Sequence, residues 1–156
     1  MSKNEYIENL IQNCEKAKLA NPTHTFVYEN IEQLKDIKQG IYIIEEIDGD
    51  NEQTFNDLAQ YKQYKGPGKR ACPKLNSPSP VMYVGSSRTG IKKRISEHLG
   101  DGSKKTYALH LDCWFKGKVK ITIYVYQEAP EVLQIIEDAL SHQLSPAFGK
   151  RGGNNK

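Results

Sequence analysis

The stretch Gly40-Ile41-Tyr42-Ile43-Ile44 has a counterpart further along the chain, Val81-Met82-Tyr83-Val84-Gly85. Both stretches are apolar and rich in β-branched residues, and each places a tyrosine between aliphatic neighbours, which is typical of a buried strand. Most tyrosines in such positions belong to the core and satisfy their hydroxyl group with a hydrogen bond. We therefore expect strands over 41–44 and 81–85 at the centre of the fold.

The segment 47–80 between these strands differs in composition from its surroundings. It contains four of the seven prolines and few large aliphatic residues. Each flanking strand is too short to be stable alone, so the two strands are expected to belong to one sheet. We interpret 47–80 as an insertion between them and not as a domain boundary.

Helices and a further strand are predicted around this pair. Apolar residues at Ile7, Leu10, Ile11, Cys14 and Leu19 predict an amphipathic helix over 3–20, expected to pack on the core. The other predicted elements are a helical turn over 31–37, a helix over 88–99 capped by Ser86 or Ser87, partial helix over 106–115, a strand over 119–126 and a helix from Pro130 to before Pro146. Strands mixed with helices, without regular βαβ alternation, predict an α+β fold with a small sheet.

Charge is distributed unevenly along the chain. Residues 61–105 contain eleven Lys/Arg against two Asp/Glu, whereas residues 1–60 contain five against twelve. A dense basic segment with interleaved tyrosines favours nucleic acid as a partner, because phosphate contacts release condensed counterions. Lysine-rich loops that only keep a protein in solution have the same composition. The residues of this segment predicted to contact DNA are Lys65, Lys69, Arg70, Lys74, Arg88, Lys92 and Lys93.

Several classes of protein are excluded or disfavoured. No apolar stretch approaches the ~20 residues that cross a bilayer, and the N-terminal sequence lacks the apolar region of a signal peptide. The three cysteines are widely separated, which is typical of free thiols in a reducing compartment. We expect a cytoplasmic protein with no membrane partner.

Arg94 and His98 combine basic side chains with a predicted apolar helix face. They are four residues apart and lie beside the stripe of Ile91, Ile95 and Leu99, so both are expected to point toward the edge of the sheet. A cleft there would bring them to a ligand. Basic side chains that only rim a core give the same pattern.

Glu137 is an acidic residue on the apolar side of the last predicted helix. At 100° per residue it falls inside or at the border of the arc formed by Leu133, Ile136, Leu140 and Leu144. A carboxylate on the buried side of a helix needs a partner. A metal ion and a buried ion pair with Arg or Lys are the two alternatives.

Taken in order, Gly40-Ile41-Tyr42, Tyr83-Val84-Gly85, Arg94 with His98, Glu137 and Pro146 resemble the GIY-YIG nuclease family. The chain is similar to that family from about residue 38 to 150. The resemblance implies an α+β domain with a three-stranded antiparallel sheet flanked by helices, and metal-dependent hydrolysis of DNA. We therefore expect an N-terminal helical segment packed on the core (1–38), a domain like those nucleases (39–150) with a basic, Pro/Gly-rich insertion at 47–80, and a flexible tail (151–156).

By position, the resemblance implies that Tyr42, Tyr83, Arg94, His98 and Glu137 are catalytic. Glu137 would bind Mg²⁺ or another divalent cation such as Mn²⁺, and Arg94 would stabilise charge on the phosphate. Tyr42 would be the family's candidate for the general base, with His98 placed to take up or relay the proton. Because the pKa of histidine lies nearer neutral pH, which of the two is the base stays open. Tyr83 would orient water or phosphate. The family often has an asparagine shortly after the final proline, whereas here the nearest ones are Asn154 and Asn155.

The expected function is that of a magnesium-dependent endodeoxyribonuclease. A restriction-type enzyme that reads DNA through the insertion, acting as a homodimer on both strands, is slightly favoured over a structure-selective nuclease. A catalytically silent module that keeps the fold and binds nucleic acid is an alternative of another class. RNA stays open as a substrate, because phosphate contacts alone do not distinguish the sugars.

Overall fold

A computed structural model describes residues 1–150, which form five α-helices and four strands. In chain order they are α1 (Lys3–Leu19), β1 (His24–Val27), β2 (Gly40–Ile47), α2 (Asn51–Gln63), β3 (Val81–Ser87), α3 (Ile91–Ser96), α4 (Leu111–Trp114), β4 (Lys118–Val125) and α5 (Pro130–Leu144). A 3₁₀ turn at Ile31–Leu34 precedes β2. None of the helices in the described part is long and apolar enough to cross a membrane. The tail predicted at 151–156 lies outside the described residues.

The sheet confirms the α+β class but has one strand more than expected. The strand order is β1-β4-β2-β3, and every pair is antiparallel. The strands β2, β3 and β4 are the three that the sequence predicts. The fourth, β1, pairs with β4 from His24 opposite Val125 to Val27 opposite Thr122 and forms the far edge. The expected count of three strands is therefore wrong, since β1 was not predicted.

The alternation of side chains along β2 builds a core on each face of the sheet. Tyr42 and Ile44 are fully buried in the larger core, which α2, α3 and α4 help to close. Ile41 and Ile43 point to the other face, where α5 covers them with Leu133 and other apolar residues. Each fully buried aliphatic side chain stabilises the fold by about 1.5–3 kcal/mol. Because β3 is an edge strand, both faces of the sheet are within reach at that edge.

The helix α1 packs against α5, but not through its apolar stripe. None of its residues is buried, and Ile7 and Ile11 are 42% and 53% exposed. The contact with the rest of the protein is made by small residues, Ala17 and the following Ala20, which pack against the core under α5. The predicted helix over 3–20 is confirmed, whereas the expectation that its large aliphatic residues pack on the core is wrong.

The insertion contains a helix that the sequence analysis missed. Asp50 caps α2 by accepting hydrogen bonds from the backbone of Glu52 and Gln53, and Thr54 and Leu58, one turn apart, are buried. The rest of the insertion has no further helix. It is held to the end of the described chain by an isolated bridge between Leu75 and Phe148 and by side-chain bonds from Asn76.

The helix predicted over 88–99 begins later and ends differently. Gly90 is its N-cap, and the Ser87 hydroxyl accepts a hydrogen bond from the Gly90 backbone instead of capping the helix directly. After Ser96 the chain continues as a π turn, Glu97–Asp101, that closes at Gly100 with φ = 149°. This turn carries His98, which is buried.

Candidate active site

A cleft of about 970 Å³ opens at the edge strand β3, and four of the five predicted catalytic residues line it. Tyr42, Tyr83 and Arg94 approach from one face of the sheet, whereas Glu137 approaches from α5 on the other. Tyr42 and Tyr83 form the floor of the cleft, and their side chains are only 0% and 2% exposed. The cleft therefore reaches the edges of the two rings, while the rings themselves are shielded from water. The cleft thus brings together residues that are up to 95 positions apart in the sequence.

Gly85 provides the space that Tyr42 needs. The two residues face each other in the pairing of β2 with β3, and a Cβ atom at Gly85 would collide with the hydroxyl end of the Tyr42 ring. The ring of Tyr42 also lies parallel to that of Tyr83, with centroids 6.1 Å apart and planes at 8°. The glycine at the end of the second tripeptide therefore has a direct packing role in the site.

His98 is fully buried behind the tyrosines and does not line the cleft. Its Nδ1 accepts a hydrogen bond from the backbone N–H of Leu109 at 3.0 Å. The proton of the neutral ring is therefore on Nε2, which lies 2.9 Å from the Tyr42 hydroxyl oxygen and donates to it. Burial lowers the pKa of His98 well below its usual value, and the nearby charge of Arg94 acts in the same direction.

This geometry corrects the role expected for His98. A neutral imidazole with Nδ1 already accepting and Nε2 already protonated has no lone pair left to take a proton from Tyr42. His98 instead donates a hydrogen bond to the phenol oxygen of Tyr42 and so holds that oxygen in place. The same N–H would stabilise a phenolate at that oxygen.

Tyr42 has a pKa well above the usual value for tyrosine. Burial is the main cause, and the neighbouring Tyr83 acts in the same direction. The positive charge of Arg94 opposes this shift. In the structure as it stands, Tyr42 is therefore a neutral phenol.

Arg94 is held by partners on three sides. Its Nη2 donates to the Tyr83 hydroxyl at 3.2 Å and to the Tyr107 carbonyl oxygen at 2.7 Å, and its Nη1 forms a salt bridge with Glu97 at 3.2 Å. Burial favours its neutral form, but the phenol groups of Tyr42 and Tyr83 outweigh burial and raise the pKa of Arg94 overall. The side chain of Arg94 is 20% exposed, so a permanent positive charge reaches the cleft.

Glu137 is half-buried, and neutral side chains hold one of its two carboxylate oxygen atoms. Its Oε2 accepts hydrogen bonds from Ser86 Oγ and Gln134 Nε2, both at 2.9 Å. Burial raises the pKa of Glu137, while the bond from Ser86 and the charge of Lys150 lower it. Lys150 also lines the cleft and its charge acts on Glu137, so a lysine and a metal ion both stay open as the partner of this carboxylate.

This donor set is compatible with Mg²⁺ and unlike a zinc site. Among the described residues no three His, Cys, Asp or Glu side chains come together. Mg²⁺ is commonly held by one or two carboxylates and keeps several waters. The hydrogen bonds from Ser86 and Gln134 both go to Oε2 of Glu137, and neighbouring Asp138 also lines the cleft. One partly buried carboxylate fits that pattern.

Most of the predicted DNA-contacting residues lie away from the cleft. Of that set only Arg88 lines it. Two others have their charged groups engaged in the fold: Lys69 Nζ donates to the Lys62 and Tyr64 carbonyl oxygens at the end of α2, and Arg70 contacts Gly100 and Asp112. Lys65, Lys74, Lys92 and Lys93 are exposed elsewhere.

The sequence analysis missed two contributors to the cleft. Ser86 positions Glu137, and its signal was its place beside the Tyr83-Val84-Gly85 tripeptide. The helix α1 forms one wall, to which Leu10 of its apolar stripe contributes. Its polar cleft-lining residues Asn9, Asn13 and Lys16 also follow helical spacing, but an analysis of apolar periodicity passed over them.

Comparison with known proteins gives this chain no family. No family model matches it, and neither does a curated protein or a solved structure. The fold and the cleft by themselves define an α+β protein with a candidate site at a sheet edge, built from two stacked phenols, a buried guanidinium and a partly buried carboxylate.

Proposed function

We propose that this protein is a divalent-metal-dependent endodeoxyribonuclease that resembles the GIY-YIG nucleases. One observation carries the proposal: Tyr42, Tyr83, Arg94 and Glu137, in four separate elements and on both faces of the sheet, line the same cleft. Hydrolysis of a phosphodiester requires a fixed positive charge, a carboxylate for a hard cation and a group that accepts a proton from water. Those chemical types are the ones that meet here.

Glu137 is the residue that would hold the cation, through Oε1 and with Ser86 and Gln134 fixing its other oxygen atom. Bound there, Mg²⁺ would supply Lewis acidity toward the scissile phosphate. Because the pKa of Glu137 is raised, its carboxyl group is protonated at higher pH than that of an exposed glutamate. A bound cation would favour the ionised form.

Arg94 would stabilise the negative charge that develops on the phosphate. Its guanidinium group is orientated in advance by Tyr83, Tyr107 and Glu97, so little reorganisation is needed when the substrate binds. Removing a preorganised donor of this kind typically costs about 10²–10³ in kcat. Tyr83, through its bond to Arg94, acts as a positioning residue.

Tyr42 is the candidate general base, supported by His98 as a hydrogen-bond donor. Because Tyr42 is fully buried, the attacking water must reach its hydroxyl group through the floor of the cleft. The loss of its proton is opposed by burial and favoured by the charge of Arg94 and the N–H of His98. We expect cleavage to accelerate as the pH rises, since a raised pKa leaves little phenolate at neutral pH.

The test is cleavage of supercoiled plasmid and phage DNA with and without Mg²⁺, comparing wild type with Glu137→Gln. Glu15→Gln is the matched control, because Glu15 is exposed on α1 and is not part of the cleft. We expect the wild type and Glu15→Gln to cut and Glu137→Gln to be inactive. Normal cleavage by Glu137→Gln would refute the proposed metal ligand, and metal-independent cleavage would refute the proposed chemistry.

The pattern of products distinguishes the forms of the proposal. Discrete fragments from linear DNA indicate a restriction-type enzyme, whereas cutting confined to branched or flapped DNA indicates a structure-selective nuclease. Tight, salt-sensitive DNA binding without cleavage by wild type would favour the silent binding module instead.

A further inference from the structure

The helix α1 presents a polar face to the candidate active site. Asn9, Asn13 and Lys16 line the same cleft as Arg94 and Glu137, and their spacing of four and three residues places them on one side of the helix. No residue of the insertion 47–80 lines that cleft. The part of the chain nearest the candidate catalytic groups, apart from the sheet and α5, is therefore α1.

The fold does not use these polar side chains. Asn13 and Lys16 form no hydrogen bond or salt bridge with a described residue, and the amide of Asn9 has only a long contact of 3.7 Å to Met1 Sδ. The packing of α1 depends on alanines instead. Asn13 and Lys16, without a partner among the described residues, and Asn9, with only the weak contact to Met1, are available to a ligand in the cleft.

Their chemistry matches a nucleic-acid strand. An asparagine amide donates and accepts together, which allows paired hydrogen bonds to a base edge, adenine above all. A lysine one turn away can meet a backbone phosphate. The cleft is also lined by the basic residues Lys16, Arg88, Arg94 and Lys150, which suit a phosphate backbone.

We propose that α1 is the element that reads the substrate beside the scissile phosphate, with Asn9 and Asn13 contacting bases and Lys16 a phosphate. This inference rests on the proposed function, since it takes the cleft as the place where nucleic acid binds. It replaces the insertion as the expected reading element. The occupant is one strand of DNA that continues from the candidate catalytic groups along α1.

The test measures DNA binding separately from cleavage. Every variant is made in the Glu137→Gln background, and binding of a short labelled mixed-sequence duplex is followed by fluorescence anisotropy over a series of salt concentrations. Lys16→Gln is expected to reduce the slope of log affinity against log salt by about one. Asn9→Ala/Asn13→Ala is expected to weaken binding of this duplex by about fivefold or more.

Matched controls lie on the other side of α1. Asn4→Ala and Lys18→Gln change exposed residues that do not line the cleft, and Lys18 shares with Lys16 the last turn of the helix. Both controls are expected to bind like the parent. The comparison of Lys16 with Lys18 thus separates a phosphate contact from a general effect of charge at the helix end.

The outcomes distinguish failure of this inference from failure of the proposed function. If wild type cleaves DNA but the cleft-facing variants bind like their controls, α1 is not the reading element and the nuclease proposal stands. If wild type binds DNA in an α1-dependent way without cleaving it, the inference is supported and the nuclease proposal is overturned. If wild type neither binds nor cleaves, both are overturned.

Discussion

The hydrogen bond between His98 and Tyr42 predicts that Tyr42→Phe destabilises the protein although only one oxygen atom is removed. Both residues are fully buried, and Nε2 of His98 has the Tyr42 hydroxyl as its partner. The His98 ring cannot avoid the loss of this hydrogen bond by moving its proton from Nε2 to Nδ1, because that would leave the Leu109 N–H without its acceptor. One buried donor is left unsatisfied in either tautomer.

The expected magnitude follows from that single orphaned donor. An unsatisfied buried polar group costs about 1–3 kcal/mol, out of a total stability of about 5–15 kcal/mol for a domain. For a chain of this length, the loss corresponds to a drop in Tm of roughly 2–12 °C. Tyr64→Phe is the control, because Tyr64 is 48% exposed and its hydroxyl has no hydrogen bond, and we expect its effect to stay within about 0.5 kcal/mol.

The assay is urea unfolding of the two single variants and of a double-mutant cycle. His98→Asn keeps an acceptor oxygen for the Leu109 N–H but removes the donor to Tyr42, so Tyr42→Phe should cost less in that background. We expect a coupling free energy of roughly 0.5–3 kcal/mol. If the two substitutions are additive, or if Tyr42→Phe is as stable as wild type, the assignment of His98 as the donor is incorrect.

Three further predictions concern packing, pH and the insertion. Gly85→Ala should cost about 1–3 kcal/mol by thermal unfolding and disturb the site, since the new methyl group meets the buried Tyr42 ring; unchanged stability would contradict that contact. Burial raises the pKa of Glu137, so cleavage at limiting Mg²⁺ should decline as the pH falls and the carboxylate becomes protonated. If the Mg²⁺ requirement stays constant down to the pH at which an ordinary glutamate is protonated, Glu137 is not the ligand. Asn76→Ala removes hydrogen bonds to the Pro146 and Gly149 carbonyl oxygens. It should lower the free energy of unfolding by about 1–3 kcal/mol and increase proteolysis within 64–80. Equal rates of proteolysis in variant and wild type would show that these bonds do not hold the insertion.

The sequence predicted the elements whose signal is local and missed those whose signal is weak. The strands around Tyr42 and Tyr83 and the helix α5 were found because runs of β-branched residues and a 3.6-residue period identify them. The helix α2 was missed because the insertion has few large aliphatic residues, although Asp50 at its N-cap and buried Leu58 are ordinary signs of a helix. The four-residue strand β1 has only one half-buried position, so its burial pattern carried little information.

The candidate site was predictable as a set of residues but not as a set of contacts. Spacing placed Arg94 and His98 on one side of a helix, yet the π turn after Ser96 carries His98 into the core while Arg94 stays at the cleft. Which nitrogen of His98 donates depends on the Leu109 N–H, eleven residues away and on no predicted face. Tautomers and hydrogen bonds of this kind follow from tertiary structure, and no periodicity encodes them.

The charge distribution of the sequence identified a basic segment, but it did not identify the polar residues that line the cleft. The insertion carries five of the 22 Lys/Arg residues, but Lys69 closes the end of α2 and Arg70 pairs with Asp112, so part of that charge stabilises the fold. At the cleft, α1 contributes one lysine and amides, from the part of the chain with a negative balance. Charged side chains attract phosphate groups over the Debye length of about 8 Å. Recognition of a base, in contrast, needs groups within hydrogen-bond distance of it. Under the proposed function, the side chains that read the substrate are therefore to be sought among the polar groups beside the candidate catalytic residues, and not in the most basic segment of the sequence.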